Sequence, residues 1–137
     1  MSTVIDQAVQ ARLIASAPQT RAIPASLRYA RSDPFAVRVS FPPAASLDGS
    51  RVEWTFGREL LAAGLRGPAG RGDVHVWPCG RDRTVLEFHA PEGVAMVQFD
   101  TGDLRRFLGR SYELVAEGCE GGHLDLDVDL AALLRDV

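Results

Sequence analysis

Between Val52 and Pro78 the hydrophobic period changes twice, and this limits the folds open to the chain. The stretch reads VEWTFGRELLAAGLRGPAGRGDVHVWP. Val52, Trp54 and Phe56 alternate with Glu53 and Thr55, the period of a half-buried strand. Leu60, Leu61 and Leu65 then share one helical face. Gly64 and Gly67 are expected to end that helix, and Pro68 prevents it from resuming. Val74 and Val76 return the chain to a sheet. Both tryptophans, Trp54 and Trp77, lie in this unit, and nothing in it spells a catalytic signature.

Alternation governs the flanks as well. Val9, Ala11, Leu13 and Ala15 predict a strand within Thr3 to Ser16, ended by Pro18. A second strand is expected from Ala22 to Ala30, around Leu27 and Tyr29 and limited by Pro24. Ser32-Asp33-Pro34 is a turn signal, after which Phe35, Val37, Val39 and Phe41 predict a third strand. Pro42-Pro43 stops it, and Leu47 to Ser50 turns the chain into Val52. Beyond the polar run Cys79 to Arg83, two further strands flank the turn Ala90-Pro91-Glu92-Gly93, the second ending at Phe99. Thr101 is the expected N-cap of a helix, with Asp103 in its first turn where the dipole favours an acid. Leu104, Phe107, Leu108, Ser111 and Val115 give that helix one buried face, and Gly118 ends it. Gly121-Gly122 reads as a flexible joint before a helical tail from Asp127 through Leu130, Leu133, Leu134 and Val137.

These elements define an α+β class, with about seven strands joined by short turns in a mostly antiparallel, curved sheet. One helix is inserted between the fourth and fifth strands, and the C-terminus is helical. A length of 137 residues fits a single domain, 1–137. A chain of this size buries about 68% of its unfolded surface and needs no staples. No apolar run approaches the ~20 residues of a membrane span, so direct membrane insertion is not expected. Met1 to Asp6 lacks the layout of a signal peptide, and two cysteines do not make a secreted disulfide scaffold. The expected compartment is the cytoplasm.

All fifteen basic residues are arginine, so each offers a planar guanidinium suited to carboxylates, phosphates and aromatic faces. Residues 1–72 carry +4 and residues 73–137 carry −7, which gives the net −3. An acidic total disfavours broad nucleic-acid binding, which is driven by phosphate neutralisation. Arg28, Arg38 and Arg51 do lie near Tyr29, Phe41 and Trp54, the ingredients of a single-strand platform. However, Phe35, Phe41, Trp54 and Phe56 share parity with aliphatic residues and are expected in the core.

Other candidate chemistries fail on order or spacing. Gly64, Gly67, Gly70 and Gly72 follow a helix, whereas a phosphate loop places its glycines before one, at the N–H end. Gly72 precedes Asp73, not the Lys and Ser/Thr of a Walker motif. His75, Cys79, Cys119 and His123 form a mirrored set, but His75 and Cys79 span a strand end and Pro78 rather than a zinc knuckle. Asp125, Asp127 and Asp129 resemble the start of a calcium loop, yet Leu130 stands where the loop needs glycine. None of Ser16, Ser26, Ser32, Ser40, Ser46, Ser50 and Ser111 sits in a G-x-S-x-G elbow, and no carboxylate pair stands out. No catalytic residue, metal or cofactor is expected.

The stretch VEWTFGRELLAAGLRGPAGRGDVHVWP is similar to the central signature of the SsgA/SsgB-like sporulation and cell-division proteins of actinobacteria. SLRYARSDPFAVRVSF before it resembles that family as well, as do APEGVAMVQFDTGDLRRFLGRSYELV and LDLDVDLAALL after it. The likeness runs over residues 5–135 in the same order. It implies a barrel-like antiparallel sheet similar to the whirly single-strand-binding fold, and a homo-oligomer, with a trimer expected. It also implies a non-enzymatic adaptor, concentrated at the division septum, whose partners are FtsZ or another family member. The alternative carried by the fold likeness is a single-stranded nucleic-acid-binding module.

An adaptor needs an exposed surface. Arg58, Glu59 and Arg66 are expected to project away from Leu60, Leu61 and Leu65, with Arg71 at the following turn. Arginine is common at the energetic centres of interfaces, which makes these four residues the candidate partner site.

Overall fold

The computed structural model describes residues 3–14, 20–42 and 52–123. The turn Leu47 to Ser50, Arg51, the trio Asp125, Asp127 and Asp129, and the helical tail lie outside them. In chain order the elements are β1 (Val4–Ile14), β2 (Thr20–Ala30), β3 (Ala36–Phe41), β4 (Val52–Gly57), α1 (Arg58–Gly64), β5 (Val74–Pro78), β6 (Arg83–Ala90), β7 (Gly93–Asp100), α2 (Thr101–Leu114) and α3 (Glu120–His123).

The seven strands form one sheet in the order β4-β3-β2-β1-β7-β6-β5, and every pairing is antiparallel. The α+β expectation holds, with the helix inserted between the fourth and fifth strands. β4 and β5 are neighbours in sequence yet occupy opposite edges. The sheet therefore curls until its ends approach. Trp54 of β4 stacks on Phe88 of β6 with ring centroids 5.0 Å apart, and Phe41 of β3 meets the same ring edge-on at 6.0 Å. The result is a nearly closed barrel whose seam is bridged by α1.

Period-2 alternation fills its interior. Ile23, Ala25, Leu27 and Tyr29 of β2, Val37, Val39 and Phe41 of β3, and Leu86 and Phe88 of β6 are all buried in one cluster. Leu104, Phe107 and Leu108 of α2 join them, and Val115 closes the end. At about 25 cal/mol per Å² of apolar surface removed from water, this cluster is the main stabilising term.

Several local expectations change. β2 runs through Pro24 rather than stopping there. Pro24 pairs with Gln10 on the β1 side, and the β2·β3 ladder is recorded only from Ser26 to Arg28. That register, continued by two residues, would set Pro24 against Pro42. Neither residue has an N–H to donate, so the ladder stops there while the strand continues. Phe35 precedes β3 in a turn and is exposed, not core. Asp100 rather than Thr101 is the N-cap of α2. The Thr101 hydroxyl is instead buried, 2.8 Å from the Thr84 hydroxyl on β6. Gly121 and Gly122 belong to the short turn of α3 rather than to a joint.

Candidate functional site

The seam unit is built around one side chain. Arg58 opens α1 directly after β4 and is 1% exposed, the largest fully buried side chain among the described residues. Its placement corrects the expectation that it projects outward. Trp54 and Phe56 set the inward parity of β4, and position 58 continues it into the helix. Arg58, Leu61 and Gly64 then form the buried stripe of α1 at spacings of three. That parity, together with the spacing to Leu61, was the available signal; the charge of the residue concealed it.

Burying a guanidinium is costly unless its donors are engaged. Here Nη1 donates to the carbonyls of Ser111 (3.1 Å) and Val115 (2.7 Å), at the C-terminal end of α2. Those carbonyls belong to the last turn and the C-cap, where helices leave acceptors unsatisfied and the dipole favours a cation. No basic residue of α2 occupies its own last turn, so Arg58 supplies that charge from another element. Nη2 donates to Oε2 of Glu120 at 2.9 Å. The Tyr29 and Tyr112 rings lie 5.0 and 4.6 Å from the guanidinium carbon, within cation–π range. The backbone N–H of Arg58 donates to the Phe35 carbonyl at 2.7 Å. One residue therefore ties α1 to the β2–β3 turn, to α2 and to α3.

The titration of its neighbours reflects this. The hydrogen bond from Arg58 holds the Glu120 carboxyl below the usual 4.5, against a smaller opposing effect of burial. Burial pushes the Tyr29 and Tyr112 phenols up, and the Arg58 charge pulls both partly back. The Tyr29 hydroxyl donates to the Pro34 carbonyl at 2.9 Å, which ties the same turn to the core.

Two glycines of this stretch, Gly64 and Gly70, serve close packing, whereas nothing lies within 4 Å of where a Cβ on Gly67 or Gly72 would be. A Cβ on Gly64 would lie 2.2 Å from Cγ1 of Val76, so α1 approaches β5 more closely than any side chain allows. Gly64 closes the helix with Leu65 in the αR region as C-cap, not as a left-handed terminator. Gly70 has φ +119° and its Cβ would meet the Val74 carbonyl at 2.5 Å, so it does mark the tight return. Ala69 and Val76 exchange two backbone hydrogen bonds across that return.

Of the four predicted surface residues, Glu59, Arg66 and Arg71 are exposed, on α1 and the loop that follows, while Arg58 is not. Among the described residues, the other arginines and aromatics do not form a stacking platform. Tyr29 and Phe41 point into the barrel and Trp54 is half-buried, while Arg28 and Arg38 lie opposite each other on the outer face. Arg38 pairs with Asp33 at 3.3 Å. His75, one of the four residues of the mirrored Cys/His set, bonds the Gly72 carbonyl through Nε2 at 2.9 Å and packs against His89. Cys79 and Cys119 are exposed free thiols. No described helix is long and apolar enough to cross a membrane.

A curled antiparallel sheet with an arginine-locked helix across its seam is a protein-sized frame that presents loops and helix faces. The chain belongs to the family described as "Streptomyces sporulation and cell division protein, SsgA", whose model matches residues 23–120. It is 44% identical to the sporulation-specific cell division protein SsgB of Salinispora tropica, over 96% of this chain and 94% of the relative. To SsgB of Streptomyces coelicolor it is 37% identical, over 99% of both chains. The crystal structure of an SsgA-like sporulation-specific cell division protein from Thermobifida fusca superposes with a TM-score of 0.82 at 34% identity, covering 96% of this chain and 98% of that one. The relatives' names place the family in sporulation-specific cell division.

Proposed function

We propose that this chain is a non-enzymatic adaptor of sporulation septation, which binds FtsZ or a family member that localises it. The observation that supports the reading is the end-to-end match to SsgB proteins, proteins named for sporulation-specific cell division, without large unmatched segments on either side. An adaptor of this kind acts in the cytoplasm, concentrates at the septum, and works as a single-domain protomer of a homo-oligomer, with a trimer expected.

The contact surface we assign comprises Glu59, Arg66 and Arg71. They lie on the solvent side of α1 and its loop, on a base fixed by Arg58 and Gly64. Arg58 acts beneath this surface as a positioning residue. Co-sedimentation with FtsZ polymers tests the surface. Arg66→Glu with Arg71→Glu should reduce the protein in the pellet while circular dichroism stays unchanged, and an undiminished pellet would remove the surface from consideration. A pull-down from sporulating cells tests the adaptor reading itself, which fails if no division protein is enriched. Light scattering checks the oligomer, and a strict monomer at high concentration would contradict it.

A further inference from the structure

The solvent face of α2 has features that its own fold does not use. Gly102, Arg105, Arg106, Gly109, Arg110 and Glu113 are exposed at the spacing of one helical stripe. Gly109 lies in the helix interior, where glycine costs helix stability relative to alanine. Nothing lies within 4 Å of where its Cβ would be, and its φ is not positive, so neither packing nor backbone geometry asks for glycine. Arg106 and Arg110 are four residues apart, a like-charge spacing that weakens an isolated helix. The arginines also avoid the last turn, where the helix dipole would favour them.

Their charges are mostly unspent. Arg106 pairs with Asp103 on its own helix, and its side chain remains 70% exposed. Among the described residues, Arg110 bonds only a neutral acceptor, Oε1 of Gln7, at 3.2 Å. Arg105 has no hydrogen-bond or ion-pair partner among the described residues. The platform below them is fixed: Leu104, Phe107 and Leu108 are in the core, Gln7 holds the Asp103 carbonyl at 3.1 Å, and Arg58 holds the far end. A cationic patch on a chain of net charge −3 is thus displayed on a rigid element, with bare backbone at its centre.

We propose that this face of α2 docks an acidic polypeptide segment, whose carboxylates pair with Arg105, Arg106 and Arg110 and whose backbone approaches over Gly109. At 1.5 Å rise per residue the three arginines span about 7.5 Å, the reach of a few spaced carboxylates. Planar guanidiniums pair with carboxylates bidentately. α2 exposes no aromatic residue on which a base could stack, a contact that an acidic peptide does not need. An acidic peptide therefore fits better than a nucleic acid. This surface is separate from Glu59, Arg66 and Arg71, and its test uses no division protein, so either reading can fail alone.

The test is fluorescence anisotropy of a fluorescein-labelled oligoglutamate peptide at low ionic strength. The unmodified chain should bind it, and Arg105→Gln with Arg110→Gln should weaken binding by roughly tenfold. Arg12→Gln with Arg21→Gln, two exposed strand arginines, should leave binding unchanged. Gly109→Gln should weaken binding while raising the melting temperature, opposite signs that a structural glycine would not give. Absent binding, equal loss in the Arg12/Arg21 variant, or tighter binding of a labelled oligothymidylate lost with the same α2 substitutions would each overturn the proposal.

Discussion

Helix α2 runs for 14 residues and buries Leu104, Phe107 and Leu108 against the sheet, whereas α1 has 7 residues and buries Arg58, Leu61 and Gly64. α2 is long enough for its apolar period to define it and to hold it in place. α1 has two turns, fewer than a helix needs to be stable alone. It is held from outside, by a glycine that lets it sit against Val76 and by a guanidinium that reaches across to the end of α2. A short connection across a barrel seam cannot bury much apolar area, so polar contacts of fixed geometry take over that role. The longer helix depends on the shorter one in turn, because Arg58 caps its C-terminal carbonyls.

Arg58→Ala should have the largest effect, about 3–5 kcal/mol, because it leaves the Ser111 and Val115 carbonyls and Glu120 without their cation. Urea denaturation measures it. Phe107→Ala should cost a similar ~3–5 kcal/mol through cavity formation. A small loss for Arg58→Ala beside a large one for Phe107→Ala would break the comparison, showing that α1 needs no polar lock. Gly64→Ala comes next, at about 1–3 kcal/mol from overpacking on Val76. Adding Val76→Ala should recover part of that loss in a double-mutant cycle, and strict additivity would mean the close approach carries no strain.

Glu120→Gln should be milder, since Arg58 keeps its two carbonyl acceptors. Its signature is in pH. Arg58 lowers the carboxyl's folded pKa, so the stabilisation is complete above the usual 4.5 and is lost as pH falls through the lower folded value. Stability curves of the parent and Glu120→Gln should therefore converge in acid and separate toward neutral pH. Parallel curves would show that the ion pair does not couple to folding. Arg66→Glu should change stability least, within about 0.5 kcal/mol, and so isolates any loss of partner binding from unfolding.

Most strands were legible in the sequence because alternation directly records which face is wet. Val37, Val39 and Phe41 announced β3, and Leu104, Phe107, Leu108 and Ser111 announced α2. Pro24 misled because a proline breaks one ladder edge without ending a strand that pairs on the other. Phe35 misled because parity says nothing about where a strand begins. At the candidate site, the exposure of Glu59, Arg66 and Arg71 followed from helical spacing and turn chemistry. The burial of Arg58 was signalled by parity and spacing but masked by its charge, and its acceptors, more than fifty positions away in the chain, left no local trace.

Local periods of two and near four thus determined the α+β class, the order of strands and helices, and the antiparallel habit set by short turns. Tertiary structure alone decided that β4 and β5 stand at opposite edges of the sheet, that the barrel seam runs between them, and that an arginine fills it. Hydrophobic patterning tells a residue which side faces water, a property of near neighbours. Where a buried charge finds its partners depends on which distant carbonyls and carboxylates the closed sheet brings within about 3 Å of it.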